Sequence, residues 1–164
     1  MSRMVIVEGE SDRVALETLA RRRGRDLAAE GVEIVAIGGA HAIRRFLQNH
    51  RQDGEVVGLV DARQADVFTR LGVEVYVCDA DLEDELIRAL GIEGMERVIE
   101  GQGELRSLRS LQKQPAQRGR STLQHLRRFI TAKSGRKAQY ARAMVEALDL
   151  DAVPPPLDQV LARV

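Results

Sequence analysis

Four short runs rich in Val and Ile constrain this chain more than any other feature: "MVIVEG" from Met4, "VEIVAIGG" from Val32, "EVVGLVDA" from Glu55 and "VEVYVCDA" from Val73. None keeps a strict alternation of apolar and polar residues. Strands of that kind are buried on both faces, which is the condition of strands in a parallel sheet covered by helices. The segments between them supply the helices. Ser11 is placed to cap a helix running to about Ala29, with Val14, Leu16, Leu19, Ala20 and Leu27 for its buried side. "AHAIRRFLQNH" puts Ile43, Phe46 and Leu47 at helical spacing, "QADVFTRLG" has room for one or two turns, and "DLEDELIRALG" has an acidic first turn and a glycine stop. The order is β-α-β-α-β-(α)-β-α, the pattern of an α/β fold with a parallel four-stranded sheet flanked by helices.

From Glu93 onward only helical patterns occur, near 93–101, 104–113, 121–132 and 135–148, before the proline break of "VPPPLDQVLARV". The chain therefore divides into an α/β core over residues 1–92 and a helical, basic extension over 93–164 packed on that core. Hydrophobic residues make up 44% of the sequence but aromatics only 3%, so the core has to be aliphatic. A single cysteine, Cys78, excludes an internal disulfide and a zinc site built on cysteines. No apolar run is long enough to span a membrane, and no signal-peptide pattern leads the sequence, so the expected location is cytoplasmic, with no membrane partner.

In an open parallel sheet, ligands gather beyond the carboxyl ends of the strands. Three of the four strands end there in an acid. The first reaches Glu8, with Asp12 one helical turn later. The third reaches Asp61. The fourth reaches Asp79 and runs on into Asp81, Glu83, Asp84 and Glu85. Two carboxylates about 4 Å apart repel by roughly 4 kcal/mol at an effective dielectric of about 20, so such a cluster calls for a cation, a proton or an arginine. Oxygen donors without a nearby His or Cys suit Mg²⁺, Mn²⁺ or Ca²⁺, and magnesium sites of this type leave positions open to phosphate. Each acid alone also has a structural reading. Asp12 sits in the favourable first turn of a helix, and Asp81 fits an N-cap completed by Asp84.

The succession of a hydrophobic strand with Glu8-Gly9, an acid at Asp12, "IGG" after the second strand and "LVDA" after the third resembles the TOPRIM domain of topoisomerases, primases, repair proteins and OLD-family nucleases. "DADLEDELIRALG" is similar to the OLD-family version. "QKQPAQRGR" and "KSGRKAQYARAMVEALDL" resemble the tail of small stand-alone bacterial proteins of that type. The resemblance implies a Rossmann-like parallel sheet and a metal-dependent nuclease using Mg²⁺ or Mn²⁺. It makes Glu8 a metal ligand or general acid/base, and Asp12, Asp61, Asp81 and Glu83 further metal ligands. Gly38 or Gly39 becomes the glycine of close backbone passage. Lys137 becomes a lysine that steadies the phosphate, so that Glu8, Asp61 and Lys137 form the expected catalytic set. The sequence departs from the family pattern at "DAR", where Arg63 stands in place of the second aspartate of a DxD motif, and in the dozen or so residues between Asp61 and the fourth strand. "GGAHA" lacks the ending of a phosphate-binding Walker loop, so no ATP site is expected in this chain and an ATPase would have to be a separate partner.

The formal net charge is zero, yet Leu105 to Arg142 carries 11 Lys or Arg and not one acid. That leaves 14 basic residues elsewhere to set against all 25 acids. Such asymmetry points to a polyanionic partner, DNA or another nucleic acid, or to pairing between the two halves of the chain. Arg127, Arg128, Lys133, Arg136 and Lys137 are the candidate phosphate contacts. With only Phe129 and Tyr140 as aromatics in this stretch, backbone-directed contact is a better expectation than base stacking. Two functions from different classes follow: a TOPRIM nuclease acting on DNA, or a catalytically inactive module of the same fold that binds nucleic acid or regulates.

Overall fold

The structure is a computed structural model and describes residues 2–50 and 54–164, Ala40 by its backbone alone. Four parallel strands, β1 (Ser2–Val7), β2 (Val32–Ala36), β3 (Gly54–Asp61) and β4 (Glu74–Cys78), form one sheet in the order β2-β1-β3-β4. The connecting helices are α1 (Glu10–Arg22), α2 (Ala40–His50) and α3 (Ala65–Arg70). Then follow α4 (Leu82–Gly101), α5 (Leu105–Gln112), α6 (Thr122–Thr131), α7 (Arg136–Ala147) and α8 (Pro155–Arg163), with 3-10 turns at Pro115–Gln117 and Leu150–Ala152. The expected α/β class and strand count are both met.

The lack of alternation in the strands has the predicted cause. Val5 and Val7 of β1, with Val57 and Leu59 of β3, face a large aliphatic core shared with α1, α4, α6, α7 and α8. Ile6 and Val60 face the opposite way, into a smaller cluster with Ile43 and Leu47 of α2 and Phe68 of α3. Successive side chains point to opposite faces of a strand, so a strand covered on both sides must be apolar throughout. Tyr140, Phe129, Met95, Leu108 and Leu126, all from the C-terminal helices, are fully buried in the larger core.

Two local details differ from the sequence reading. The first helix ends at Arg22, not near Ala29, because Gly24 takes a left-handed conformation (φ 72°) and closes the helix. Its N–H donates to the Arg21 carbonyl at 3.0 Å, and that of Arg25 to the Ala20 carbonyl at 2.9 Å, the two bonds of a Schellman stop. The helix also starts earlier, with Gly9 as its cap residue. The Asp12 carboxylate accepts the Gly9 N–H at 2.9 Å, and Ser11 turns inward, buried. Gly91 (φ 70°) breaks α4 where the glycine stop was expected.

Arginines at the end of α1 hold the C-terminal helices in place. Arg22 donates to the Val145 and Leu148 carbonyls at 2.9 and 2.6 Å, satisfying the last turn of α7, and Arg25 donates to the carbonyls of Leu161 and Val164 at the end of α8. Among the described residues no helix is long and apolar enough to cross a membrane.

Candidate active site

The strand order makes the site's position predictable. From β1 the chain crosses by α1 to β2 on one side; from β3 it crosses by α3 to β4 on the other. The carboxyl ends of β1 and β3 therefore flank the point where the winding reverses, and a crevice opens there. The β1–β3 register pairs Ile6 with Gly58, so Glu8, two residues further on, lies level with Val60 and beside Asp61. A cavity of about 510 Å³ occupies this place, lined by Glu8, Asp12, Asp61, Asp81, Glu83 and Lys137. All five acids expected to hold metal and the expected lysine thus converge on one cavity. Gly38 lines it as well, and its φ of 77° is one that a side chain would strain.

The acids fall into two groups by the company they keep. On the β1–β3 side, among the described residues, no cation pairs with them directly. Asp61 accepts the N–H groups of Arg63 and Gln64 at 2.9 and 3.1 Å, which fixes its carboxylate at the start of the loop to α3. The Glu8 carboxyl is pushed above its ordinary range by partial burial and by Asp61 alongside it, against the opposing hydrogen bond from Gln64 and the more distant Lys137 charge. Asp12 is pushed up to about 6, first by burial and then by the Glu83 and Glu8 charges, which outweigh the Gly9 hydrogen bond and Lys137.

On the β4 side the acids are already matched. Asp81 caps α4, accepting the Asp84 N–H at 2.9 Å, so its structural reading also holds. The Arg127 guanidinium from α6 grips both oxygens of the same carboxylate, with one contact at 2.9 Å. Burial works to raise the Asp81 carboxyl, but Arg127 and the cap bond overcome it and hold it low. Glu83 is buried; Lys137 Nζ lies 3.1 Å from its Oε1, and Ser11 Oγ donates to the same oxygen at 3.4 Å. Burial disfavours the Lys137 ammonium, yet Glu83 more than compensates and raises its pKa. The other acids of this stretch stay outside the cavity, where Arg88 reaches Asp79, Asp84 and Glu85.

The donor set is all oxygen, and the charge on Glu8 and Asp12 is incompletely compensated, so the chemistry fits a hard divalent cation. Among the described residues, however, no group of three His, Cys, Asp or Glu side chains is arranged to hold a metal ion. Side chains would have to turn toward an ion for it to be held.

The basic residues divide as well. Arg136 does not meet its expectation as a nucleic-acid contact. Its side chain is only 6% exposed and lies 2.6 Å from Glu104, donates to the Phe129 carbonyl at 3.1 Å and stacks over the Phe129 ring at 4.1 Å. An arginine committed to a half-buried carboxylate and an aromatic face is a packing element. Arg127 is engaged by Asp81 through both ends of its fork and remains partly exposed. Arg128 and Lys133 are exposed, and among the described residues their side chains have no hydrogen-bond or ion-pair partner. Sequence reading missed Ser11 and Gln64 as site residues, because a serine and a glutamine near acids give no signal until the fold brings them to Glu83 and Glu8. Arg63 lines the cavity, exposed, with no side-chain partner among the described residues. His41, exposed on α2, lies outside it.

Residues 1–52 match the family model described as "Overcoming lysogenization defect protein-like, TOPRIM domain". That stretch includes Glu8, Asp12, Gly38 and Gly39 and stops short of Asp61. No curated protein sequence matches the chain. Among solved structures, the C-terminal region of the Burkholderia pseudomallei OLD protein superposes with a TM-score of 0.67 at 18% identity, covering 98% of this chain and 95% of that one. The C-terminal region of the Xanthomonas campestris pv. campestris OLD protein gives 0.68 at 20% identity, covering 99% and 91%. The TOPRIM pattern of OLD type read from the sequence is thus found in the chain's first 52 residues, and the fold of OLD C-terminal regions is found along nearly all of it. The chain is similar to OLD-like TOPRIM domains in sequence over residues 1–52 and to OLD C-terminal regions in fold over nearly its whole length.

Proposed function

We propose that this chain is a divalent-metal-dependent nuclease of TOPRIM type that hydrolyses DNA phosphodiesters. The observation that carries this reading is the meeting of Glu8, Asp12 and Asp61 at the winding reversal of the sheet, uncompensated by any direct ion pair among the described residues and sharing a cavity with Lys137. Glu8, Asp12 and Asp61, with Asp81 and Glu83, would hold Mg²⁺ or Mn²⁺. Such an ion, when bound, would supply charge stabilisation to a phosphate in the transition state. The chain's own groups do the rest. The Lys137 ammonium presents a positive charge to the same phosphate. The Glu8 carboxyl, its proton affinity raised by partial burial and by Asp61 beside it, is the group placed to take up and return a proton. Asp61, held by two backbone N–H groups, keeps its geometry while the others adjust.

The division into a core over residues 1–92 and a basic helical extension over 93–164 belongs to the same proposal: the core supplies the acids, and the extension supplies Lys137, Arg127 and the exposed Arg128 and Lys133. We place the activity in the cytoplasm. Any ATP-driven step would come from an ATPase partner.

The inactive alternative has its own supporting observation. Arg63 replaces an acid of the motif, and Asp81 and Glu83 are neutralised from within the chain. Incubation of supercoiled plasmid with Mg²⁺ or Mn²⁺, beside Glu8→Gln, separates the two. Nicking by wild type and not by the variant supports the nuclease. Salt-sensitive DNA binding with no nicking under either metal supports the binding module. Equal nicking by both proteins would remove Glu8 from the mechanism.

A further inference from the structure

One carboxylate of the cavity is tied to a cation that reaches it from outside, a contact that a metal site has no reason to include. Arg127 reaches from α6 to the Asp81 carboxylate and engages both oxygens, although Asp81 already has the Asp84 N–H as a partner. Lys137 repeats the arrangement one step away, on Glu83. The guanidinium is 39% exposed and the carboxylate 20%, so a solute can reach the pair, Asp81 from the cavity and Arg127 from the surface beside it. Asp81 and Arg127 come from opposite parts of the chain and meet only through the docking of α6 on α4.

We infer that Arg127 is a positioning residue that acts as a built-in counter-ion: it closes Asp81 to divalent cations until a nucleic-acid phosphate draws the guanidinium away. A cation approaching Asp81 meets a carboxylate with both oxygens occupied and a positive charge beside it. A phosphodiester competes well for Arg127, because the planar fork of arginine fits phosphate as well as it fits carboxylate. Once the fork has moved, Asp81 presents an unpaired charge to the cavity. Cation uptake on the β4 side of the cavity and nucleic-acid binding then reinforce each other, as linkage requires when each displaces the same contact. The scheme rests on the metal-dependent reading above and adds an order of events to it: phosphate first, then the cation at Asp81.

The test measures binding and needs no cleavage. Mn²⁺ is titrated into the full chain and free ion is followed by electron paramagnetic resonance, for wild type, Arg127→Gln and Arg128→Gln. The last removes the same charge from a neighbouring exposed residue whose side chain has no partner among the described residues. Folding of each variant is checked by circular dichroism, and Arg127→Lys, which keeps the charge without the fork, stands in should Arg127→Gln fold poorly. We expect Arg127→Gln to bind one more Mn²⁺ per chain than wild type, or the same number with the weakest at least about tenfold tighter, the scale of one unit charge acting across a few ångströms of protein edge. Wild type saturated with a phosphorothioate duplex should show the same gain, and Arg128→Gln should not. Wild type and Arg127→Gln binding Mn²⁺ identically would overturn the inference and leave the metal reading standing. Arg128→Gln matching Arg127→Gln would reduce the effect to net charge and overturn it too. No Mn²⁺ bound by any protein, with or without duplex, would defeat the metal reading and this inference with it.

Discussion

Asp12→Asn is expected to make the protein more stable at neutral pH. Asp12 is half-buried at the start of α1, its proton affinity moved from an ordinary 3.8 up to about 6 by burial and by the charges of Glu83 and Glu8. An acid that holds its proton more tightly in the folded state than in the unfolded one lowers stability as pH rises through that interval, here from about pH 4 to about pH 6, and the loss persists above it. Each factor of ten in proton affinity is worth about 1.4 kcal/mol, so the ionised carboxylate costs up to about 3 kcal/mol, and nearer 1 kcal/mol once the water reaching a half-buried group is allowed for. Asparagine keeps an oxygen to accept the Gly9 N–H and carries no charge, so it retains the local bond and removes the cost. Urea unfolding of both proteins without divalent ions, at several pH values from about 4 to 8, should show the variant ahead by about 1–3 kcal/mol at pH 7 and the gap closing toward pH 4. A variant no more stable than wild type at pH 7, or a gap unchanged with pH, would refute the reasoning. Mn²⁺ adds a second arm. If Asp12 helps to hold the ion, saturating metal stabilises wild type by about 2.7 kcal/mol at a hundredfold excess over its dissociation constant, and stabilises the variant less.

Other outcomes follow from the same geometry. Arg136→Ala should destabilise the protein by about 3–5 kcal/mol in urea unfolding, since it leaves Glu104 half-buried with only Tyr140 OH, at 2.9 Å, for company. Charge reversal of Arg128 and Lys133 to Glu should leave stability within about 0.5 kcal/mol and flatten the salt dependence of DNA binding, lowering the slope of log K against log salt by roughly two. Fluorescence anisotropy over a salt series would show this, and an unchanged slope would place the nucleic acid elsewhere.

The fold was largely legible because its cause is local and repeated. Four Val/Ile runs without alternation admit few sheets other than a doubly covered parallel one, and the helical patterns between them fix the crossovers. Even the acid cluster could be placed, since strand order and strand-end residues together decide what gathers at the winding reversal. The first helix was misjudged because Gly24 is one glycine among several and only its φ of 72° shows it to be a stop. The arginines that tie down α7 and α8 were invisible for a different reason. Arg22 and Arg25 look like the ordinary basic last turn of a helix, and their carbonyl partners lie more than a hundred residues away in sequence.

The basic stretch from Leu105 to Arg142 best shows what charge counting can and cannot reach. Its lack of acids left two readings open, a polyanionic partner or pairing with the acidic body, and residue by residue the structure divides them. Arg109 pairs with Glu96, Arg136 with Glu104, Arg127 with Asp81 and Lys137 with Glu83, each acid lying before the stretch begins. The acid-free composition therefore helps to hold the helices on the core, since an acid within the stretch could compete locally for each of these cations. Two of the four pairs close the cavity's β4 side, and there the two readings join. A nucleic-acid backbone would compete for Arg127 and Lys137, cations the core already holds, and its binding would disturb the site while leaving Arg136 and Arg109 to keep the helices in place. Stability should then depend on Arg136, and cation uptake on Arg127, although the two arginines lie nine residues apart in one basic run.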